Sequence, residues 1–293
     1  IRDSPDIVHA IALKPIALSL LAGAHGAGRV FAVTGRGYLG VRGAAWTRFV
    51  LDRLAGRMRR AIADGDAMLL VENEADRGWI EAGTPLPDAR VLLMPGAGVD
   101  AEKFKPAAEP AGSIKIGIAS RLVWSKGVDI AVEALRRLRN EGRDFELHIA
   151  GGPDRANPEH VPDSEFARWA ATSGIVLHGP VNDVAAFWAG VHVACFPSRG
   201  GEGLPRSLLE AAACGRAIVA VDTPGCADFV RAGDAGVLVP SEDPDALAAA
   251  LARFADDAPL RQRLGATARA LVLARYTEAH AADCAAEAWA RLG

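Results

Sequence analysis

Cysteine is scarce and scattered. The chain holds four, Cys195, Cys214, Cys226 and Cys284, with no C-x-x-C pair and no histidines at zinc spacing. That excludes a disulfide framework and a structural zinc module, and it fits free thiols in a reducing compartment. Long hydrophobic runs are missing too. The longest, PIALSLLAGA at 15–24, has about half the roughly 18–20 residues of a membrane span. Neither sign of charge dominates: 33 Lys and Arg face 36 Asp and Glu, a net −3, which argues against a nucleic-acid binder. No short-period repeat divides the chain.

What the chain does have is hydrophobic mass, 50% of 293 residues, enough for two domains that each bury a core. Short β-rich runs alternate with helical patterns. In the first part the strands are DIVHA (6–10), RVFAVT (29–34), DAMLLV (66–71) and RVLLM (90–94). They are continuously apolar, as expected of parallel strands covered on both faces. A stretch rich in proline, alanine and charge, VDAEKFKPAAEPAGS (99–113), reads as a linker. Six more strands follow: IKIGIAS (114–120), FELHIAG (145–151), IVLHG (175–179), VACFPS (193–198), AIVAVD (217–222) and GVLVP (236–240). The expectation is an α/β chain of two doubly wound parallel-sheet domains, over 1–108 and 109–276, facing a cleft. A terminal helix, 277–293, packs back on the first domain. Ile1 is not methionine, and IRDSP reads as the tail of an element already under way, so the first domain is expected to be incomplete.

Ligands of open α/β sheets sit at the carboxyl ends of the strands, which directs attention to the loops there. RGGEGLPRSLLEAAACGRAIVA (199–220) follows such a strand. Its glycines allow close approach to the backbone. Pro205 suits the first helical position, and the helix start offers unpaired N–H groups to a phosphate. Glu202 stands beside that anion site and Glu210 two turns down the helix. Carboxylates accept well from sugar hydroxyls, so a nucleotide sugar fits: diphosphate at the helix start, ribose on one glutamate, hexose on the other. The plainer reading makes Glu210 a solvated helix glutamate. In SRLVWSKGVDIAVEAL (120–135), Arg121 and Lys126 flank another strand-to-helix turn and suit a diphosphate clamp, worth about 1.5–3 kcal/mol per charge-assisted contact. HGPVNDV (178–184) is a weaker third loop.

Together GIASRLVWSKGVD, LHGPVNDV, PSRGGEGLPRSLLEAAACGRAIVAVDTPGCADFV and GVLVP resemble the family-4 glycosyltransferases of GT-B architecture, whose E-x(7)-E signature is met by Glu202 and Glu210. The resemblance implies a retaining transferase that needs no metal. Arg121 and Lys126 would hold the donor diphosphate, Glu202 the transferred sugar and Glu210 the ribose. Gly203, Leu204 and Pro205 would line the site, and His178, Gly179 and Val181 would meet the base. VHAIALKP, AVTGRGYLG, LLLVENEADRGWIEAG and MPGAGVDAEKFKP are similar to the capsule, exopolysaccharide and O-antigen branch. That implies a UDP-sugar donor and a saccharide acceptor on undecaprenyl diphosphate, with Thr34, Gly35 and Asn73 on the acceptor side. The chain departs from the pattern at Arg199 and Gly200, where aromatic residues are common, which puts the donor sugar in question. Ser120, Ala217 and Ala97 replace a usual glycine, proline and serine, and Trp124 is unusual.

The stretch 41–62 carries Arg42, Arg48, Arg53, Arg57, Arg59 and Arg60 against Asp52, with Trp46, Val50, Leu54 and Met58 recurring every four residues. Two readings stand side by side: a helix for an anionic membrane surface, or a domain helix with a solvated arginine face. The first implies a cytoplasmic protein, peripheral at the inner face of the membrane. A glycosidase needs opposed carboxylates across a bond, which this spacing does not supply. A non-catalytic, truncated binder of UDP or UDP-sugar is the alternative reading.

Overall fold

The computed structural model describes residues 5–22, 26–37 and 45–292. Arg42 and the rest of 41–44 lie outside them, as do residues 38–40 of the AVTGRGYLG stretch. The chain forms two compact units. The first comprises Ile1–Gly98, Gly201–Leu204 and Glu278–Gly293, the second Val99–Gly200 and Pro205–Thr277.

The first unit is built on a parallel sheet of β1 (Ile7–Ile11), β2 (Gly28–Val33), β3 (Ala67–Val71) and β4 (Val91–Leu93), in that order. Alternate residues serve opposite faces. Phe31, Val33, Leu69 and Val71 meet Ile16 of α1 (Leu13–Ala22), Met58 and Ile62 of α2 (Ala45–Ala63) and Ile80 of α3 (Glu74–Glu81). Val30, Ala32, Met68 and Leu70 pack on the other face with Ala288 of the terminal helix. Because both faces are covered, the strands read as unbroken apolar runs.

The second unit holds β5 (Ile114–Ala119), β6 (Phe145–Ala150), β7 (Ile175–Gly179), β8 (Val193–Phe196), β9 (Ala217–Val221) and β10 (Val237–Val239). All pair in parallel, in the order β10-β9-β8-β5-β6-β7. The chain leaves β5 toward β7, then returns to place β8 on its other side. This reversal between β5 and β8 is the topological switch point, where the loops at the strand ends diverge and leave a crevice. The helices are α4 (Val128–Asn140), α5 (Asp163–Ala170), α6 (Val184–Ala189), α7 (Arg206–Ala213), α8 (Pro224–Gly233), α9 (Pro244–Asp256) and α10 (Ala258–Arg275), with α11 (Glu278–Ala290) counted in the first unit.

Residues 99–108, expected with the first domain, pack with the second instead. The Val99 N–H donates to the Tyr276 carbonyl at 3.0 Å, and Phe104 is buried. Three arginines then fasten the segment. Arg269 donates to the carbonyl of Phe104 at 2.8 Å and to that of Ala213, and Arg216 to those of Ala107 and Val191. Arg261 grips the Glu109 carboxylate with two bonds, 2.8 and 2.7 Å. A buried guanidinium is tolerated only where its donors find acceptors, and this stretch supplies them.

All four cysteines are free, three of them buried. No described helix is long and apolar enough to cross a membrane.

The stripe read along 41–62 splits in two. Met58 and Ile62 join the core with Leu51 and Ala55. Trp46 stays 72% exposed, and Phe49 and Val50 are exposed with it. Leu20 and Leu21 of α1, Phe49 and Val50 of α2 line a groove of about 730 Å³, rimmed by Arg53, Arg57 and Arg60. Arg59 points elsewhere, toward the carbonyls of Ile80 and Glu81.

Candidate functional site

Within the second unit the switch point brings two loops into contact. After β5 the chain makes a 3-10 turn, Trp124–Lys126, and enters α4 through Gly127. Gly127 takes φ +66°, and a Cβ there would sit 2.0 Å from the Pro197 carbonyl oxygen. Only glycine meets both demands. From the other side, the Arg199 N–H donates to the Ser125 carbonyl at 2.8 Å and the Ser198 hydroxyl to the same oxygen at 3.2 Å. The turn that carries Lys126 and the segment that leads to Glu202 therefore lie backbone to backbone.

Burial pushes the Lys126 ammonium down to about 8; the Cys226 thiol opposes this and the Arg121 charge adds to it. Arg121 is exposed, with Nη1 2.6 Å from Asp154 Oδ2.

Arg199 is the most heavily bonded side chain of this region. Its guanidinium is bidentate on Asp129, at 2.8 and 2.7 Å, and meets Glu242 at 2.6 and 3.1 Å. A further bond goes to the Trp124 carbonyl. Only 11% of the side chain is exposed. Asp129 and Glu242 drive its already high pKa higher, against burial.

Pro205 is the residue before the helix, at φ −63° and ψ 124°, and α7 begins at Arg206, one position later than the sequence suggests. The Glu210 side chain is only 13% exposed, with Arg206 Nε 3.3 Å from its Oε1. Burial raises its pKa and Arg206 opposes the shift. The solvated-glutamate reading is thereby set aside: at 13% exposure the carboxylate is largely out of water.

The Gly201–Leu204 segment groups with the first unit. There the Gly37 N–H donates to the Gly201 carbonyl at 2.6 Å, and the Leu204 N–H to Glu72 Oε2 at 2.7 Å. A Cβ on Gly35 would fall 2.4 Å from the Gly203 nitrogen, and one on Gly203 only 1.8 Å from Glu72 Oε2. Thr34 and Gly35 thus border the segment that holds Glu202. Burial lifts Glu72 to about 7; the Leu204 N–H opposes this and Asp76 reinforces it.

Asn73, assigned to the acceptor side by resemblance, is 1% exposed and caps α3. Its Oδ1 accepts the Asp76 N–H at 2.8 Å, and its Nδ2 donates to Asp76 Oδ2 at 3.0 Å. Both polar ends are committed inside the helix cap, so it shapes the strand end rather than opening toward a ligand. His178, Gly179 and Val181 lie at and after β7, the edge strand, two strands from β5. His178 Nε2 is 3.0 Å from His148 Nδ1, and the two rings stack.

Glu72, Asp129 and Glu242 escaped the sequence reading. Glu72 directly follows β3, so the strand-end rule reaches it; nothing local in the sequence marks the other two. Among the described residues, no three His, Cys, Asp or Glu side chains cluster as a metal site would require.

Residues 113–257 match the family model described as Glycosyl transferases group 1. An exopolysaccharide phosphotransferase of Streptomyces coelicolor is 31% identical over 199 residues, 67% of this chain and 20% of that protein. A putative colanic acid biosynthesis glycosyltransferase, WcaL of Escherichia coli K12, is 30% identical over 217 residues, 71% of this chain and 52% of the relative. The chain thus spans a fifth to a half of these relatives. HepE of Anabaena, solved in complex with UDP, superposes with a TM-score of 0.79 at 19% identity, covering 97% of this chain and 78% of that one. A sucrose-phosphate synthase of Thermosynechococcus elongatus gives 0.79 at 18% identity over 96% of this chain and 72% of its own.

Proposed function

We propose that this chain of GT-B fold, whose residues 113–257 match the Glycosyl transferases group 1 family model, moves a hexosyl or N-acetylhexosaminyl group from a UDP-sugar, with retention, to a saccharide on undecaprenyl diphosphate in cell-surface polysaccharide synthesis. One observation carries the reading: the Lys126 turn and the Ser198–Arg199 segment touch at the switch point, the place where doubly wound sheets take nucleotides.

The chemistry follows from the groups at hand. A UDP leaving group develops charge on its diphosphate as the glycosidic bond breaks. Lys126, and Arg121 released from Asp154, are the cations positioned to take up that charge. The Glu210 carboxylate, held on a rigid helix and largely out of water, accepts from ribose hydroxyls. Glu202, on the Gly-rich segment, binds the transferred sugar. Thr34 and Gly35 border Glu202 in the first unit and belong to the acceptor side. Support for the donor comes from HepE, solved with UDP and with UDP-glucose; support for the setting comes from WcaL and from a capsular polysaccharide glycosyltransferase, CapM, of Staphylococcus aureus. The exposed Trp46, Phe49 and Val50 beside Arg53, Arg57 and Arg60 suit an anionic membrane surface, where a lipid-linked acceptor resides.

Calorimetry with UDP, followed by a transfer assay with UDP-sugars and a lipid-linked saccharide, tests the proposal. Binding with turnover is expected. Binding without turnover would favour a non-catalytic carrier of the nucleotide, and no binding would overturn the donor assignment.

A further inference from the structure

We propose that Arg199 is a positioning residue for donor binding: one guanidinium staples the Lys126 turn, the start of α4 and the 240–243 loop to the 197–200 segment after β8. The inference rests on the function proposed above.

Three loops leave the carboxyl ends of three strands: 120–127 after β5, 197–205 after β8 and 240–243 after β10. Each must hold its place for a diphosphate and a sugar to be met at once. The 120–127 loop is bonded to the 152–161 segment, the Leu122 N–H to the Gly152 carbonyl and the Trp124 N–H to the Glu159 carbonyl, both at 2.9 Å, so side-chain bonds are what must tie it to the other two loops. Arg199 does so with every nitrogen of its side chain. Nη1 and Nη2 fork onto Asp129 in the first turn of α4, Nε and Nη2 reach Glu242, and Nη1 also caps the Trp124 carbonyl. Its own N–H adds the bond to Ser125, adjacent to Lys126. Two residues further on, the chain reaches Gly201 and then Glu202.

The charges matter as much as the geometry. Asp129 and Glu242 are two carboxylates close to a turn meant to attract an anion. Left unpaired, they would repel a diphosphate. The planar guanidinium satisfies both at once, which a lysine ammonium cannot reproduce. Glu242 holds φ +59°, a backbone strained for any residue but glycine, and its two bonds to Arg199 tie that loop tip down.

A rigid staple and a catalytic group are separable in experiment. Arg199→Met removes charge and fork, Arg199→Lys keeps the charge alone, and Glu242→Ala removes one seat. Amide hydrogen exchange in the ligand-free chain should rise about tenfold in 122–130 and 196–200 together for Arg199→Met. Calorimetry should show UDP affinity about tenfold weaker in that variant and within about threefold of the parent in Arg199→Lys. In Arg199→Lys kcat should still fall more than tenfold, because the loops are loose while the charge is restored. If Arg199→Met does not fold, the Lys and Glu242→Ala variants decide: both should raise exchange in the two segments together. Parent-like exchange in folded variants, or a rise confined to 196–200, overturns the proposal. A parent chain that fails to bind UDP would sink the functional reading while the exchange result still judges the staple.

Discussion

Glu72 and Leu204 stand 132 residues apart and are joined by one bond: the Leu204 N–H donates to Glu72 Oε2 at 2.7 Å. The residue between Leu204 and Glu202, Gly203, leaves that oxygen no space for a Cβ. A carboxylate at the end of β3 therefore dictates both the path and the composition of the segment that bears the signature glutamate.

This bond has a pH signature. Burial raises the Glu72 pKa from the usual 4.5 to about 7, Leu204 partly opposing it and Asp76 adding to it. An acid with a raised folded-state pKa favours the fold when protonated. Its contribution is therefore greatest below about 4.5, declines as pH climbs to about 7, and is level beyond. Glu72→Gln keeps an acceptor for Leu204 and cannot ionise. Relative to the parent, it should gain stability steadily across pH 4.5–7, as read by urea denaturation. Asp76, paired with Arg36 at 3.0 Å, no longer faces a second carboxylate in Glu72→Gln, and that relief acts in the same direction. A stability difference that stays constant with pH would count against the assignment.

Lys126 titrates in the opposite sense. Its pKa of about 8 means that the free site loses its ammonium as pH rises past 8. UDP stabilises the charged form, so affinity should be level near pH 7 and fall about three- to tenfold by pH 9. Lys126→Met should bind more weakly and without this slope. Calorimetry at pH 7, 8 and 9 measures both; a flat parent profile rules the role out.

The two signature glutamates should separate in their effects. Glu202→Ala is expected to abolish transfer while retaining most UDP affinity, whereas Glu210→Ala should weaken UDP itself by about tenfold. Equal, parent-like UDP binding in both variants and in Lys126→Ala would show that the nucleotide sits elsewhere.

Gly127→Ala tests the contact between the two loops. The new Cβ meets both a left-handed backbone and the Pro197 carbonyl, so a loss of about 2–4 kcal/mol is expected. Gly142→Ala serves as the control. It shares a positive φ, +76°, but has nothing within 4 Å, and should lose about 1 kcal/mol. Comparable losses at both positions would mean that backbone strain alone governs the turn.

For the membrane surface, the triple change of Arg53, Arg57 and Arg60 to Glu should lower binding to anionic vesicles at least tenfold, at roughly 1 kcal/mol per arginine. Arg59→Glu should instead affect stability, since Arg59 bonds to the carbonyls at the end of α3. Vesicle binding insensitive to the triple change discards the surface.

The strands were legible in sequence to within one or two residues, because double-sided burial writes itself as an unbroken apolar run. The loops at their carboxyl ends were legible for the same reason, among them the turn that carries Lys126 and the segment ahead of the helix that carries Glu210. What the sequence hid is long-range pairing. Nothing local connects Arg199 with Asp129 seventy residues upstream or Glu242 forty-three downstream. Asn73 was legible as a polar residue at a strand end, yet its partner three residues on makes it a helix cap. The stretch 99–113 has the composition of a linker, but Val99 and Phe104 are buried and distant arginines claim its carbonyls. Amphipathic periodicity in 45–63 marked the helix correctly but could not say where its apolar stripe leaves the core.

That fastening has a practical corollary for anyone cutting the gene. A fragment begun at Ser113, where the family match starts, would strip Arg216, Arg261 and Arg269 of the Ala107, Glu109 and Phe104 acceptors. Three partly desolvated cations would then face an open seam. An expression boundary ahead of Val99 keeps the seam closed, and the few extra residues should decide between a well-behaved isolated domain and an aggregate.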